Sequence, residues 1–207
     1  MSVLDRPLVW EASRAVLDLG FGLYRRRRAL LDRWGLLDGG ASILDIGCGI
    51  GQYASLTEGR YLGVDLNCPY VDHARRRRGD EQHAFRCVDA ADLVAEGERF
   101  DLVLMVDFLH HLDVKAALSV LKTGGELADR HVVALEPVIE QDNRVGRWFI
   151  DHDRGEHMRP HAELLALFGR AGLHIEADES LRLGPIATRA IRSVPAALPT
   201  RASQGSA

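Results

Sequence analysis

The sequence predicts a three-layer α/β fold in which a mostly parallel, seven-stranded sheet lies between helices. An antiparallel strand closes it at the C-terminus, and helices precede the first strand. Two observations lead to this prediction. Short apolar runs alternate with stretches of helical periodicity, which is typical of parallel strands joined by crossover helices. The last two strand-like runs follow each other directly across Gly184-Pro185, a turn signal.

The length and composition are those of one globular domain. The chain has 207 residues, 46% of them apolar and 27% charged, which allows a single sizeable core. We expect one domain over residues 1–194, with a helical cap at 1–38 and the sheet core at 39–194. Residues 195–207 are rich in Pro, Ser, Ala and Gly and are predicted to be a disordered tail.

The charge and the hydropathy restrict the partners. A net charge of -4 argues against nucleic acid as the main partner, because nucleic-acid-binding proteins carry a basic excess. No apolar run approaches the roughly 18 residues of a membrane span, and the N-terminus lacks the order of a secretory signal. We therefore expect a cytoplasmic protein with a small-molecule substrate, without nucleic-acid or membrane partners. The oligomeric state stays open, a homodimer included.

The three cysteines, Cys48, Cys68 and Cys87, stand far apart in the sequence. An odd number at wide spacing fits neither a disulfide framework nor a zinc site. We predict three reduced thiols and no bound metal.

Two amphipathic stretches precede the first strand, and apolar residues recur in each at helical steps. A run of four arginines at 25–28 places Arg27 on the apolar face of the second helix. Two interpretations stay open: a solvated basic turn in which one arginine stem snorkels, or an arginine that reaches a ligand carboxylate or the substrate. The apolar residues are Val9, Ala12, Val16 and Leu19 in the first stretch, and Leu23, Leu30, Leu31 and Trp34 in the second.

Three predicted strands end on an acidic residue, Asp65, Asp89 and Glu136, and Asp107 directly follows a fourth. In open α/β sheets, ligands bind beyond the carboxyl ends of the strands, so these acids are expected at the binding edge. The parallel strands are predicted at residues 42–46, 61–65, 85–89, 100–106 and 132–136, later helices at 67–78 and 160–171, and the closing strands at 174–183 and 188–194.

The loop after the first strand carries the strongest functional signal. It reads Leu44-Asp-Ile-Gly-Cys-Gly-Ile-Gly51, and its alternate glycines let the backbone turn sharply and approach a ligand. A NAD site instead has Gly-x-Gly-x-x-Gly, with a pyrophosphate at a helix N-terminus. Asp45 precedes the first glycine by two residues, where a carboxylate repels pyrophosphate and suits a cation. S-adenosylmethionine carries a sulfonium and an ammonium, so the loop favours it over NAD.

Two later acids extend the predicted site towards an adenosine group. Asp65 ends strand two, a position from which a carboxylate accepts both ribose hydroxyls. Asp89 ends strand three, where it is placed to accept a hydrogen bond from an adenine amino group; a helix N-cap is the alternative.

Together with strand four, these motifs resemble class I S-adenosylmethionine-dependent methyltransferases. Residues 43–51 resemble the family's first motif, 61–67 its acidic loop, and 100–112 its fourth strand with a terminal Leu-His-His-Leu. The resemblance covers roughly residues 22–194 and implies a Rossmann-like fold with S-adenosylmethionine as cofactor. It also implies that the methionine end is lined by Asp45, Gly47, Gly49 and Gly51, the ribose by Asp65, the adenine by Asp89 and Ala90, and the region near the methyl donor by Val106, Asp107 and Phe108, with Cys48 and Leu66 as further cofactor contacts.

The sequence departs from the family before strand five. Lys122-Thr-Gly-Gly125 resembles a Lys-Pro-Gly-Gly turn of the family, yet strand five is predicted to begin only near His131. Either the turn comes early and residues 126–130 form an extra loop, or the glycines interrupt a longer helix.

A polar segment after strand five holds the candidate acceptor residues. Residues 151–159 resemble a stretch of a bacterial methyltransferase subgroup, and the resemblance implies that insertions at this point face the substrate. A self-paired polar loop is the alternative. The substrate-binding candidates are Asp151, His152, Arg154 and Arg159, together with Arg27.

The expected reaction is methyl transfer to oxygen, nitrogen or carbon of a small molecule, by in-line displacement that depends mainly on alignment. A general base is needed only when the acceptor loses a proton, and imidazole titrates near neutrality. His111 and His110, just past strand four, are the first candidates, followed by His157. The alternative is a protein that binds S-adenosylmethionine without methyl transfer, as a cyclase or a non-catalytic partner.

Overall fold

The computed structural model describes residues 11, 18–38, 40–140, 142–151 and 155–196. Its strands are β1 (Ile43–Ile46), β2 (Tyr61–Val64), β3 (His83–Arg86), β4 (Phe100–Val106), β5 (Ala128–Pro137), β6 (Leu173–Leu183) and β7 (Ile186–Pro195). Its helices of more than one turn are α1 (Leu23–Arg33), α2 (Cys68–Arg78), α3 (Ala90–Ala95), α4 (Val114–Leu127), α5 (Arg144–Asp151) and α6 (His161–Arg170).

The seven strands form one sheet in the order β3-β2-β1-β4-β5-β7-β6. β1 to β5 pair in parallel, and β7 runs antiparallel to both of its neighbours. This confirms the predicted α/β fold with its antiparallel C-terminal strand. The strand order reverses between β1 and β4, and ligands of open α/β sheets bind at such a switch point.

Helices cover both faces of the sheet, which explains the nearly continuous apolar sequences of the central strands. Along β4, alternate residues enter opposite layers. Val103 and Met105 join an apolar cluster with α3, α4 and α6, whereas Leu102 and Leu104 join a cluster with α1 and α2. The sheet is therefore the middle of three layers.

The predicted strand bounds differ from the structure at β3 and β5. β3 is His83–Arg86 rather than residues 85–89, so Asp89 lies beyond the strand in the loop that leads to α3. β5 begins at Ala128 rather than at residue 132. At the C-terminus, β7 includes Pro195, which the prediction assigned to the tail; residues 197–207 lie outside the described part of the chain.

The glycines at 124 and 125 lie inside α4 and make no turn. Of the two alternatives, the longer helix is correct, and the extra loop at 126–130 is wrong because β5 follows α4 directly. Gly124 is buried, and a Cβ there would lie 2.8 Å from Cε of Met105. The absence of a side chain thus lets α4 lie close to β4.

The second predicted N-terminal stretch is α1, with Leu23, Leu30 and Leu31 buried. Of the first predicted stripe, Leu19 is helical and 91% exposed, and its other members lie outside the described residues. Within the described ranges, no helix is long and apolar enough to cross a membrane.

Candidate active site

The glycine loop after β1 has a backbone that glycine adopts most readily. Gly47, Gly49 and Gly51 have φ angles of 75°, 52° and 74°, in the left-handed region where an L side chain is strained. At Gly49 a Cβ would meet only the Tyr70 ring, 4.0 Å away. Backbone strain, and not crowding by protein, therefore favours glycine at position 49, and the space beside it is open to a ligand.

Asp45 stands just before this loop and is 1% exposed. Its Oδ2 accepts a hydrogen bond of 2.6 Å from the hydroxyl of Tyr61 on β2. Burial raises the pKa of Asp45 to about 7; the Tyr61 hydrogen bond opposes this rise, and the Asp65 carboxylate adds to it. A cation beside Asp45 would favour the ionised carboxylate, so the position suits a positively charged ligand.

Asp65, directly after β2, joins two loops of the binding edge. Its Oδ2 accepts the N–H of Gly49 at 2.9 Å, and its Oδ1 accepts the N–H of Asn67 at 2.8 Å. The Asp65 carboxylate therefore connects the glycine loop to the segment that follows β2. Leu66, the next residue, is 72% exposed.

Asp89 caps α3, since its Oδ1 accepts the N–H of Ala91 at 2.9 Å. The N-cap alternative from the sequence is thus what the structure shows. Capping uses one carboxylate oxygen, and the exposed side chain keeps the other for a further donor. Both functions are compatible at this residue.

The loop after β4 is held by a buried carboxylate from β5. Glu136 is 1% exposed, and its Oε1 accepts the N–H groups of Phe108 and Leu109 at 2.8 and 2.9 Å. Its Oε2 lies 2.8 Å from Nδ1 of His110. Glu136 therefore does lie at the predicted edge, but its oxygens are engaged by protein donors. Asp107 begins this loop with a φ of 49°, an uncommon conformation for a residue with a side chain.

Two cavities flank the Phe108 ring at the carboxyl edge of the sheet, with volumes of about 260 and 330 Å³. Gly47, Asp65 and Phe108 border both, so we describe them as the first and second lobes of one groove. The first lobe is also lined by Asp45, Cys48, Gly49, Ile50, Gln52, Tyr53, Asn67, Tyr70, Val106, Asp107 and His111. The second is also lined by Ile46, Val64, Leu66, Val88, Asp89, Ala90, Ala91, Leu112, Ala116, Ser119, Val120 and Thr123.

Among the predicted cofactor residues, Gly51 borders neither lobe. A Cβ at Gly51 would lie 2.4 Å from the Phe85 ring and 3.1 Å from Cβ of Ala74. This glycine therefore serves the close packing of the loop against β3 and α2. The remaining predicted cofactor residues border one or both lobes.

The three predicted catalytic histidines occupy different environments. His111 is exposed and lines the first lobe. His110 is 4% exposed and pairs with Glu136, and its ring lies 4.2 Å from that of His111 between centroids. His157 borders neither lobe, and its backbone N–H donates to the His110 carbonyl at 3.0 Å. Geometry therefore favours His111 among the three.

The predicted substrate-binding residues at 151–159 do not form one cluster within the described part of the chain. Asp151 is exposed at the end of α5, and His152 and Arg154 lie outside the described residues. Arg159 is 6% exposed; it donates to the Leu109 carbonyl at 2.8 Å and also to the Leu112 carbonyl. Arg159 thus holds the loop after β4 in place.

The burial of Arg27 decides one of the two sequence interpretations, whereas its contact with a ligand stays a prediction. It is 3% exposed, so a solvated arginine is wrong at this position. Its Nη1 and Nη2 donate to the two oxygens of Asp107 at 2.9 and 2.6 Å, and Nη1 also donates to the Tyr53 hydroxyl at 2.6 Å. Arg27 thereby links α1 to two residues that line the first lobe.

The prediction of three reduced cysteines is wrong for two of them. Cys68 and Cys87 form a disulfide with a Cα–Cα distance of 5.2 Å, whereas Cys48 is free and buried. β2 and β3 are adjacent and parallel, so the segments that follow them meet at the same edge despite their separation in sequence. Among the described residues, no group of three or more His, Cys, Asp and Glu side chains is arranged to hold a metal.

Tyr61 and Tyr53 are site residues that the sequence analysis missed. Tyr61 contacts Asp45, and Tyr53 both lines the first lobe and binds Arg27. The sequence held one indication for Tyr61. A buried acid such as Asp45 needs a hydrogen-bond donor, and a tyrosine on the predicted neighbouring strand could supply it. Which strand lies beside β1, and in which register, follows only from the folded sheet.

Known proteins with similar sequences include methyltransferases. Residues 44–128 match the model of a methyltransferase domain family. A ubiquinone biosynthesis O-methyltransferase of Xylella fastidiosa is 31% identical over 169 residues, which covers 73% of this chain and 68% of that protein.

Solved structures share the fold. A magnesium protoporphyrin IX methyltransferase from Synechocystis, determined with S-adenosylhomocysteine bound, has a TM-score of 0.62 at 22% identity and covers 81% of this chain and 80% of that one. A [4+2]-cyclase has a TM-score of 0.64 at 19% identity, with 83% and 81% covered. At these identities the likeness establishes the fold alone.

The groove fits S-adenosylmethionine. The first lobe has an acidic wall at Asp45 and Asp65 beside an open glycine backbone, which suits a cationic amino-acid group. The second lobe is lined mainly by apolar side chains with Asp89 at its border, which suits a purine with one amino group. By its fold and its similarity to known enzymes, the chain belongs to the class I S-adenosylmethionine-dependent methyltransferases, and S-adenosylmethionine is its cofactor.

Proposed function

We propose that this enzyme transfers the methyl group to a hydroxyl oxygen of a small molecule, with His111 as the general base. The observation that carries the proposal is an exposed imidazole in the wall of the first lobe, next to Asp107 and Phe108. A hydroxyl acceptor must lose its proton during transfer, and an imidazole is suited to accept it near neutral pH. The O-methyltransferase relative is named for the same kind of acceptor.

We assign a role to each predicted cofactor residue according to the lobe that it lines. Bound S-adenosylmethionine supplies an electrophilic methyl group on its sulfonium, and the protein aligns the acceptor with it. We assign the first lobe to the methionine end and the second to the adenine, with Asp65 between them at the ribose. The first lobe then uses Asp45, Gly47, Cys48 and Gly49; the second uses Leu66, Asp89 and Ala90; and Val106, Asp107 and Phe108 follow the cofactor between the two.

His111 is placed by contacts that do not involve the cofactor. The short turn Leu109–His111 is held by Glu136 from within the sheet, and the ring of His110 lies against that of His111. Glu136 and His110 are both buried, so these contacts are shielded from water. We therefore interpret His110 as a positioning residue and His111 as the residue that contacts the acceptor.

The acceptor side is proposed to lie between residues 155–159 and α1, which belongs to the N-terminal helical cap. The first of these segments returns beside the loop that carries His111, through the contact of His157 with His110 and those of Arg159. The cap reaches the same loop through Arg27 and Asp107. Both elements therefore contact the loop that carries His111.

The test is methyl transfer from labelled S-adenosylmethionine to a panel of phenols and alcohols, with amines and O-methylated analogues as comparison acceptors. We expect transfer to hydroxyl acceptors with formation of S-adenosylhomocysteine. His111→Ala should lower kcat by about 10²-fold or more while the affinity for S-adenosylhomocysteine changes less than about twofold. His174→Ala, an exposed histidine on β6, is the matched control and should behave as wild type.

Three outcomes would contradict parts of this proposal. Product formation without methylation would indicate a cyclase, and methylation of amines alone would exclude the hydroxyl acceptor. An unchanged kcat in the His111 variant, with or without a loss of cofactor affinity, would remove His111 as the base.

A further inference from the structure

Tyr61 carries a hydroxyl group in the interior of the sheet. The residue is fully buried at the start of β2, and its ring lies 5.6 Å from that of Phe85 between centroids. The hydroxyl donates to Oδ2 of Asp45 at 2.6 Å. A phenylalanine would provide a similar ring without a buried polar group, so the hydrogen bond is the property that distinguishes tyrosine at this position.

This hydrogen bond engages one of the two carboxylate oxygens of Asp45. Asp45 lines the first lobe although it is almost completely buried. Because the Tyr61 hydroxyl donates to Oδ2, Oδ1 can accept a hydrogen bond from a ligand in the lobe. A donor to a carboxylate also stabilises its ionised form, which is the form that attracts an ammonium group.

We propose that Tyr61 is a positioning residue for cofactor binding, whose hydroxyl orients the Asp45 carboxylate so that Oδ1 receives the ammonium group of S-adenosylmethionine. The inference rests on the proposed placement of the methionine end beside Asp45. Tyr61 lines neither lobe and acts through Asp45 alone.

Burial and the neighbouring titratable groups determine the protonation states of Asp45 and Tyr61. Burial is the main reason that the pKa of Asp45 is raised to about 7, and the Tyr61 hydroxyl counteracts it. Burial also raises the pKa of Tyr61, so this hydroxyl remains a donor. The other charged or titratable groups near the pair are Asp65 after β2, Cys48 in the glycine loop, Arg78 on α2 opposite Tyr61, and Tyr53, Tyr70, Asp107 and His111 around the first lobe.

The test is calorimetric binding of S-adenosylhomocysteine, which retains the ammonium group, to the full chain at pH 7.5, with Asp45 intact and in an Asp45→Asn background. Loss of the hydroxyl would raise the pKa of Asp45, so Tyr61→Phe should bind about tenfold more weakly than wild type at pH 7.5. In an Asp45→Asn background, Tyr61→Phe should add no further loss.

The matched control is Tyr24→Phe, because the Tyr24 hydroxyl bonds Ser55 at an exposed position. It should bind as wild type. An equal loss on Tyr61→Phe with Asp45 intact and in the Asp45→Asn background would indicate a general packing defect and overturn the inference, as would wild-type affinity of Tyr61→Phe.

Failure of the proposed function is distinguishable from failure of this inference. If Asp45→Asn binds S-adenosylhomocysteine as tightly as wild type at pH 7.5, the methionine end does not lie at Asp45 and the inference fails. Methyl transfer to hydroxyl acceptors is measured separately on the wild type. Its absence, with the Asp45-dependent loss of binding in Tyr61→Phe intact, would support the Tyr61 contact and reject only the acceptor assignment.

Discussion

The buried ion pair between Arg27 and Asp107 provides a direct test of how α1 is attached to the sheet. The Arg27 guanidinium meets both oxygens of Asp107, and the exposed fractions of the two side chains are 3% and 15%. Burial alone would lower the pKa of Arg27, but Asp107 and Tyr53 raise it above its usual value. The arginine is therefore charged in the folded protein, and its charge is compensated within the structure.

Arg27→Met keeps most of the apolar stem and removes the positive charge. Breaking a buried pair by removing one partner leaves an uncompensated charge and costs about 3–5 kcal/mol of unfolding free energy. Because Asp107 keeps some contact with water, we expect the lower end, about 3 kcal/mol. For a domain of this size, each kcal/mol changes Tm by about 2–4 °C, so the expected decrease in Tm is roughly 6–12 °C.

The assay is urea unfolding of wild type, Arg27→Met, Asp107→Asn and the double variant. The double variant should lose less than the sum of the single losses, since each single change leaves the partner unpaired. Arg28→Met is the matched control, because this neighbour on α1 is 44% exposed and lies 3.8 Å from Asp32. It should stay within about 0.5 kcal/mol of wild type. A loss below about 1 kcal/mol in Arg27→Met would refute the reasoning.

Further predictions concern the glycines and the disulfide. Gly49→Ala should lower stability by only about 1–2 kcal/mol of backbone strain but weaken S-adenosylhomocysteine binding in a titration, and unchanged affinity would mean that the loop does not contact the ligand. Gly51→Ala adds a clash with Phe85 to the same backbone strain, so urea unfolding should show a larger loss of unfolding free energy, about 2–4 kcal/mol. A loss no greater than that of Gly49→Ala would contradict this. Gly169→Ala on α6 has open space around its Cβ and should gain about 0.5–1 kcal/mol in the same assay, whereas a loss would show an unrecognised contact. Cys68→Ser opens the cross-link to Cys87, which spans 19 residues, and should lower the free energy of unfolding by about 3 kcal/mol; dithiothreitol should destabilise the wild type equally, and no effect of either would contradict the disulfide.

Most of the fold was predictable because its signals are local. The apolar periodicity of the strands and helices, and the Gly-Pro turn between β6 and β7, depend only on nearby residues. The glycine loop was recognisable for the same reason, since Gly47 and Gly49 require left-handed backbone wherever the loop lies. The bounds of β3 and β5 were less predictable, because sheet pairing with neighbouring strands decides where a strand starts and stops.

The candidate site was predictable as a set of residues but not as a set of contacts. Asp45, Asp65 and Asp89 could be placed at one edge because parallel strands end together. What each carboxylate binds was not visible in the sequence. Glu136 shows this most clearly, since it lies at the predicted edge but is engaged by the backbone of the loop after β4.

The sequence by itself determined the parallel α/β architecture, the acidic edge and the glycine loop, because periodicity and backbone requirements act over a few residues. Only the tertiary structure decided the disulfide, the Arg27–Asp107 pair and the Glu136–His110 contact, whose partners are separated by 19, 80 and 26 residues. The physical reason is that strand order and register determine which distant side chains meet in the interior. Once buried, a charged or polar group must have a partner, and the fold supplies that partner from another part of the chain.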